Sequence, residues 1–74
     1  MQTPSDIAST LTAKGLGLHG PTWRGWAWYR REANAAALAA AGQSGRYKPA
    51  EAALSGFYRS AEEAGRAGLA EAQY

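Results

Sequence analysis

The stretch Pro21–Gly42, PTWRGWAWYRREANAAALAAAG, constrains this chain more than any other part of it. All three tryptophans fall in its first half, and its second half is almost pure alanine. At a helical period near 100° per residue, Trp26, Tyr29, Ala33, Ala36, Ala37 and Ala40 share one face. Arg24, Trp28, Arg31, Ala35 and Leu38 fall roughly opposite. The spacing predicts one long helix over about 21–41, opened by Pro21 in its first turn. Gly25 inside such a helix costs about 1 kcal/mol relative to alanine, and it would admit a close neighbour between the large rings.

Alanine also limits the core. Of 34 hydrophobic residues 18 are alanine, with six leucines, one isoleucine and no valine. Apolar burial contributes about 25 cal/mol per Å² removed from water, and alanine has little area to remove. The core candidates are therefore Ile7, Leu11, Trp23, Trp26, Tyr29, Leu54, Phe57, Tyr58 and Leu69. At 74 residues a single core is only marginally sufficient. Such a chain calls for close helix packing, a second copy of itself, or a partner.

The flanks read as helices too. Thr3-Pro4-Ser5-Asp6 is a start signal, with Thr3 as cap, Pro4 in the first turn and Asp6 reaching back. Ile7, Ala8 and Leu11 follow at helical spacing and Gly15 supplies a stop, giving a first helix over about 4–14. Gly15–Gly20, GLGLHG, formally matches the dinucleotide fingerprint. That motif needs a preceding strand in a βαβ unit of ~30 residues; here a helix precedes it, so it reads as a flexible connection holding the lone His19. Gly42-Gln43-Ser44-Gly45 breaks the second helix, and Pro49 opens a third over about 49–72. Its small face (Ala61, Ala64, Gly65, Gly68) matches the smooth face of the second (Ala33, Ala36, Ala37, Ala40). Small residues permit close helix approach. The expected fold class is all-α: a single three-helix domain over 1–74, built on an antiparallel helical hairpin with an Ala/Gly-rich close interface.

Catalysis and metal chemistry find little to stand on. Without cysteine and with one histidine, no metal site is expected. There is no nucleophile elbow, P-loop, H-E-x-x-H or EF-hand pattern. Glu62 and Glu63 splay apart on a helix and do not face one site. The chain is read as a non-enzyme with no cofactor. No basic start followed by an apolar run suggests a leader. The apolar segment Ala33–Ala41 is nine residues, against the ~20 that span a bilayer. A cytoplasmic protein with no membrane partner is the expectation.

Charge is segregated. Within the net +2, residues 14–48 carry +5 and residues 49–74 carry −2. The basic middle contains two aromatic–cationic clusters, which form the candidate partner-binding set. One is Trp23, Arg24, Trp28, Arg30 and Arg31; the other is Arg46, Tyr47 and Lys48. Tryptophan and arginine are enriched in interface hot spots, and they also stack on bases and hold phosphates. Against this stands the plainer reading, in which the rings are core with arginine stems laid over them. Trp26 and Tyr29 fit that plainer reading; Trp28 is set off the alanine stripe.

The leading expectation is a small helical binding protein that occupies a protein partner's surface. Inhibitors of host machinery carried by phages and mobile elements, anti-CRISPR proteins among them, are often of this size; no motif here carries that association. The alternative is a basic nucleic-acid-binding or regulatory protein, although Gly15–Gly20 is too long and glycine-rich for a helix-turn-helix turn. A homo-oligomer packed through alanine faces is compatible with either.

Overall fold

The computed structural model describes residues 3–72, and it overturns the all-α expectation. A two-stranded antiparallel sheet, β1 (Leu16–Thr22) and β2 (Gly25–Arg30), is combined with three helices, α1 (Pro4–Ala13), α2 (Arg31–Ala40) and α3 (Ala61–Ala72). A 3-10 turn occupies Glu51–Ala53.

α1 begins as its sequence dictates. The Asp6 N–H donates to Thr3 Oγ1 at 3.2 Å while the Thr3 N–H donates to Asp6 Oδ2 at 3.1 Å, a reciprocal cap. It ends where Gly15 adopts φ +76° and donates to the Thr12 carbonyl at 3.0 Å.

The helix expected over 21–41 is mostly not a helix. GLGLHG is not a loop either: after Gly15 it lies in β1, whose residues Leu16, Gly17, Leu18 and His19 stand opposite Arg30, Tyr29, Trp28 and Ala27. The deciding signal has period two. Leu16 and Leu18, with Trp26 and Trp28, pack on the core of Ile7, Leu11 and Ala61. On the opposite face the Tyr29 ring lies where a side chain on Gly17 would stand. Trp26 and Trp28 thus share one face of a strand instead of opposing each other on a helix. Only Arg31–Ala40 is helical. That helix closes on Gly42 (φ +70°), with Gln43 N–H to Leu38 O at 2.8 Å and Gly42 N–H to Ala39 O at 3.1 Å.

The third helix is likewise shorter than the 49–72 expected. Residues 54–58 run extended beside β2, with bridges Tyr29–Leu54 and Trp26–Tyr58. Trp26 and Tyr58 exchange backbone bonds of 2.8 and 2.7 Å, and Ser55 N–H donates to Trp28 O at 2.9 Å. β2 is paired on both sides, and satisfying its backbone overrides the helical spacing of Leu54 and Phe57. α3 starts only after Ser60, whose hydroxyl accepts the Glu63 N–H at 3.1 Å.

The helical hairpin is also corrected. Ala33, Ala36 and Ala40 are exposed. α2 buries Leu38, and Asn34 Oδ1 accepts the Ala50 N–H at 2.7 Å. The small residues of α3 serve other neighbours. A Cβ on Gly65 would lie 2.6 Å from Ile7 Cγ2, and one on Gly68 would lie 3.0 Å from Trp28 Cγ. α3 therefore packs closely on α1 and the sheet. Leu11 and Leu16, at 0% and 1% exposure, sit at the centre.

Candidate functional site

Among the described residues, the features that depart most from ordinary packing lie at the tip of the β1–β2 hairpin. Trp23 is 94% exposed, although full burial of a large aromatic ring removes 150–250 Å² from water, by order of magnitude. The turn beneath it is well tied. Thr22 Oγ1 donates to Gly25 O at 2.9 Å and accepts the Arg24 N–H at 3.1 Å. Gly25 supplies φ +108°, a conformation that side chains rarely adopt. Arg24 then reaches across the fold: its Nη1 meets Glu51 Oε1 at 2.7 Å, and its guanidinium lies 4.0 Å from the Phe57 ring centroid. Because that ion pair is substantially exposed, it adds little stability. What it supplies is position, fastening the turn to a segment 27 residues away.

The Arg46-Tyr47-Lys48 cluster follows α2 in an irregular segment. Tyr47 is 99% exposed, so its ring packs on neither Trp23 nor Tyr58. Arg46 is folded back on Gln43, with Nη1 to Oε1 at 2.8 Å. Tyr47 and Lys48, with Leu18, His19, Gly20 and Tyr29, border an open depression of about 430 Å³ on the Tyr29 face of the hairpin. Tyr47 precedes by four residues the Glu51 that holds Arg24. This loop borders the middle of the hairpin on its Tyr29 face, beside Leu18, His19 and Gly20.

The other candidate residues lie elsewhere. Trp28 is half-buried, packs on the core and has its ring against Gly68; its Nε1–H is enclosed without a hydrogen-bond partner. Arg30 lies 5.9 Å from the Trp28 ring centroid and donates from Nη2 to Glu71 O at 3.4 Å. Arg30 and Arg31 join Lys14, Thr12 and Glu32 around an open groove of about 720 Å³ at the base of the hairpin. Base and tip are about six strand residues apart, roughly 20 Å. The eight expected residues thus separate into a tip pair (Trp23, Arg24), a loop cluster (Arg46, Tyr47, Lys48), a base pair (Arg30, Arg31) and the half-buried Trp28.

Sequence reasoning missed Lys14, His19 and Tyr29 as lining residues. For His19 and Tyr29 the signal existed, in the alternation L-G-L-H and W-A-W-Y. No group of three His, Asp or Glu side chains among the described residues is placed to hold a metal ion. No helix among them is long and apolar enough to cross a membrane. Comparison with family models, with curated proteins and with solved structures returned no match.

Proposed function

We propose that this chain is a non-enzymatic binding protein that acts by occupying the surface of a protein partner, with the hairpin tip as its anchor. The observation that carries the reading is Trp23, exposed on a turn fixed by Thr22, Gly25 and the Arg24–Glu51 pair. A turn whose backbone is already tied spares a partner the cost of ordering that loop, although the Trp23 side chain itself must still be ordered on binding. Tyr47 is the second anchor, and Lys48 beside it favours an acidic rim on the partner. Occupancy alone would inhibit a host enzyme or assembly, the mode considered from the sequence.

The test is partner capture on immobilised full chain, followed by titration of the captured protein with parent and Trp23→Ala. An anchor of this kind is worth 2 kcal/mol or more, by order of magnitude, so affinity should fall about 30-fold or more. Equal affinity for both forms would remove Trp23 from the interface and sink the reading.

A second reading is favoured by a separate observation, the groove bordered by Lys14, Arg30 and Arg31 at the hairpin base. In it the chain holds nucleic-acid phosphates there. Binding to short duplex or single-stranded DNA should then weaken steeply with salt, with a log–log slope near −2 to −3 for about three contacts. A salt-independent affinity, or none, excludes it.

A further inference from the structure

Among the described residues β2 is paired on both sides, but β1 is paired on one. The Trp26 and Trp28 backbones turn toward residues 54–58, so in an antiparallel ladder the intervening Ala27 and Tyr29 bond to β1, opposite His19 and Gly17. The Arg31 N–H to Gly15 O bond of 3.0 Å continues the same alternation two residues on. Leu16 and Leu18 therefore turn their N–H and C=O groups outward, away from β2. Leu16 is enclosed, at 1% exposure, whereas Leu18 is half-buried and Gly20 beyond it is exposed. Among the described residues no other segment hydrogen-bonds to the backbone of Leu18.

Leu18 and Gly20 also form a ridge between two depressions. On the α1 side an apolar hollow of about 470 Å³ is lined by Pro4, Ala8, Pro21 and Trp26. On the other side lies the depression of about 430 Å³ bordered by His19, Tyr29, Tyr47 and Lys48. Arg24 already has Glu51 as its partner, while no carboxylate among the described residues pairs with Lys48. A strand added to this edge would send successive side chains alternately into the two hollows.

We propose that the outer edge of β1 at Leu18 receives an extended segment of a protein partner in which apolar side chains alternate with acidic ones. The apolar residues enter the Pro4–Trp26 hollow, the acidic ones meet Lys48 and His19, and the main chain bonds to Leu18. This rests on the protein-binding reading above and names the part of the partner that the site takes.

The test pans a displayed random octapeptide library on the full chain and follows amide hydrogen exchange with a synthetic peptide of the recovered sequence. In the free chain Leu18 should exchange much faster than Gly17 and His19; the peptide should slow Leu18 at least tenfold and leave those two nearly unchanged. Recovered sequences should alternate apolar with Asp or Glu. Lys48→Glu should weaken binding at least tenfold, and a peptide carrying Lys at its acidic positions should restore it. The proposal is overturned if Leu18 is already as protected as its neighbours, if the peptides show no alternation, or if they bind without slowing Leu18. Concentration-dependent dimerisation that protects Leu18 also overturns it, in favour of self-pairing. Trp23-dependent partner binding that persists through any of these outcomes leaves the broader reading standing; its loss removes both.

Discussion

Gly65→Ala tests the packing that replaced the expected helical hairpin. The added methyl would sit 2.6 Å from Ile7 Cγ2, about 1 Å inside the 3.5–4.0 Å of an ordinary carbon–carbon contact. Ile7 has little freedom to swing aside: it is 5% exposed, it packs with Leu11, Leu16 and Ala61, and β-branching restricts its rotamers. α1 and α3 must separate instead. Overpacking of this kind costs about 1–3 kcal/mol, set against a gain of up to about 1 kcal/mol for replacing glycine inside a helix. With the contact a full ångström too short, the upper part of the overpacking range applies, about 2–3 kcal/mol, and the net expectation is a loss of about 1–2 kcal/mol. For a domain of this size each kcal/mol moves the midpoint by about 4–8 °C, so Tm should fall by about 5–15 °C. Thermal and urea unfolding followed by far-UV circular dichroism and tryptophan fluorescence would read this, with an unchanged urea slope showing that only stability moved. Gly56→Ala is the control, because a Cβ there meets nothing within 4 Å; its Tm should hold or rise. A Gly65→Ala protein as stable as the parent would refute the close approach of α1 to α3.

The same fold separates two alanine substitutions that the helical hairpin would have treated alike. Ala64 is 0% exposed and Ala36 is exposed, so Ala64→Leu should cost about 1–3 kcal/mol and Ala36→Leu should stay within about 0.5 kcal/mol of the parent, both by urea unfolding. Trp23→Ala should also leave stability within about 0.5 kcal/mol, so any loss of binding is read directly. At the start of α1, the Thr3 backbone N–H and then its hydroxyl hold the Asp6 carboxyl below its ordinary value of 3.8. A depressed carboxylate contributes stability at pH above its unfolded value and loses it as pH falls through the lower folded value. The stability difference between parent and Asp6→Asn should therefore be present at neutral pH and vanish at strongly acidic pH; a difference that is flat with pH would contradict the cap.

Legibility followed the range of the interactions that decide each segment. α1 was readable because its start and stop are fixed by neighbours: Thr3 with Asp6, and Gly15 with Thr12. The signal for α3 was equally local, in Ser60 three residues before Glu63, and the longer helical pattern around Leu54 and Phe57 concealed it. The hairpin was misread because alanines at 33, 36, 37 and 40 extend a helical spacing back through Tyr29 and Trp26. In fact Gly25, with its positive φ, marks a turn and L-G-L-H a strand. The pairing of residues 54–58 with β2 spans 25–32 positions, by the Tyr29–Leu54 and Trp26–Tyr58 bridges, and nothing within either segment announces it. At the site, Trp23, Tyr47 and Lys48 were legible as residue types, since no packing position had to be known to notice them. Trp28 was not, because its burial depends on Gly68 arriving from another element.

The shortage of large apolar side chains ties the fold to its exposed features. Trp26, Trp28, Leu16 and Leu18 all serve the face that α1 and α3 cover. The other face is filled sparingly, by Tyr29 over Gly17 and by the small Ala27. A fully covered second face would need another element with large side chains, and α2 has only Leu38 to offer. The hairpin is thus anchored at its base, through Leu18 and along β2, while Gly20, Pro21 and the tip carrying Trp23 are exposed. In a chain with so little hydrophobic area, an exposed tryptophan forfeits up to about 4–6 kcal/mol of available burial, yet Thr22, Arg24 and Glu51 hold the turn that displays it. Contacts that fix an unfavourable exposure without relieving it are accounted for when a partner supplies the missing burial. By the same logic the proposed partner would find free backbone groups to pair with at the Leu18 edge, nearer the base of the hairpin than its tip.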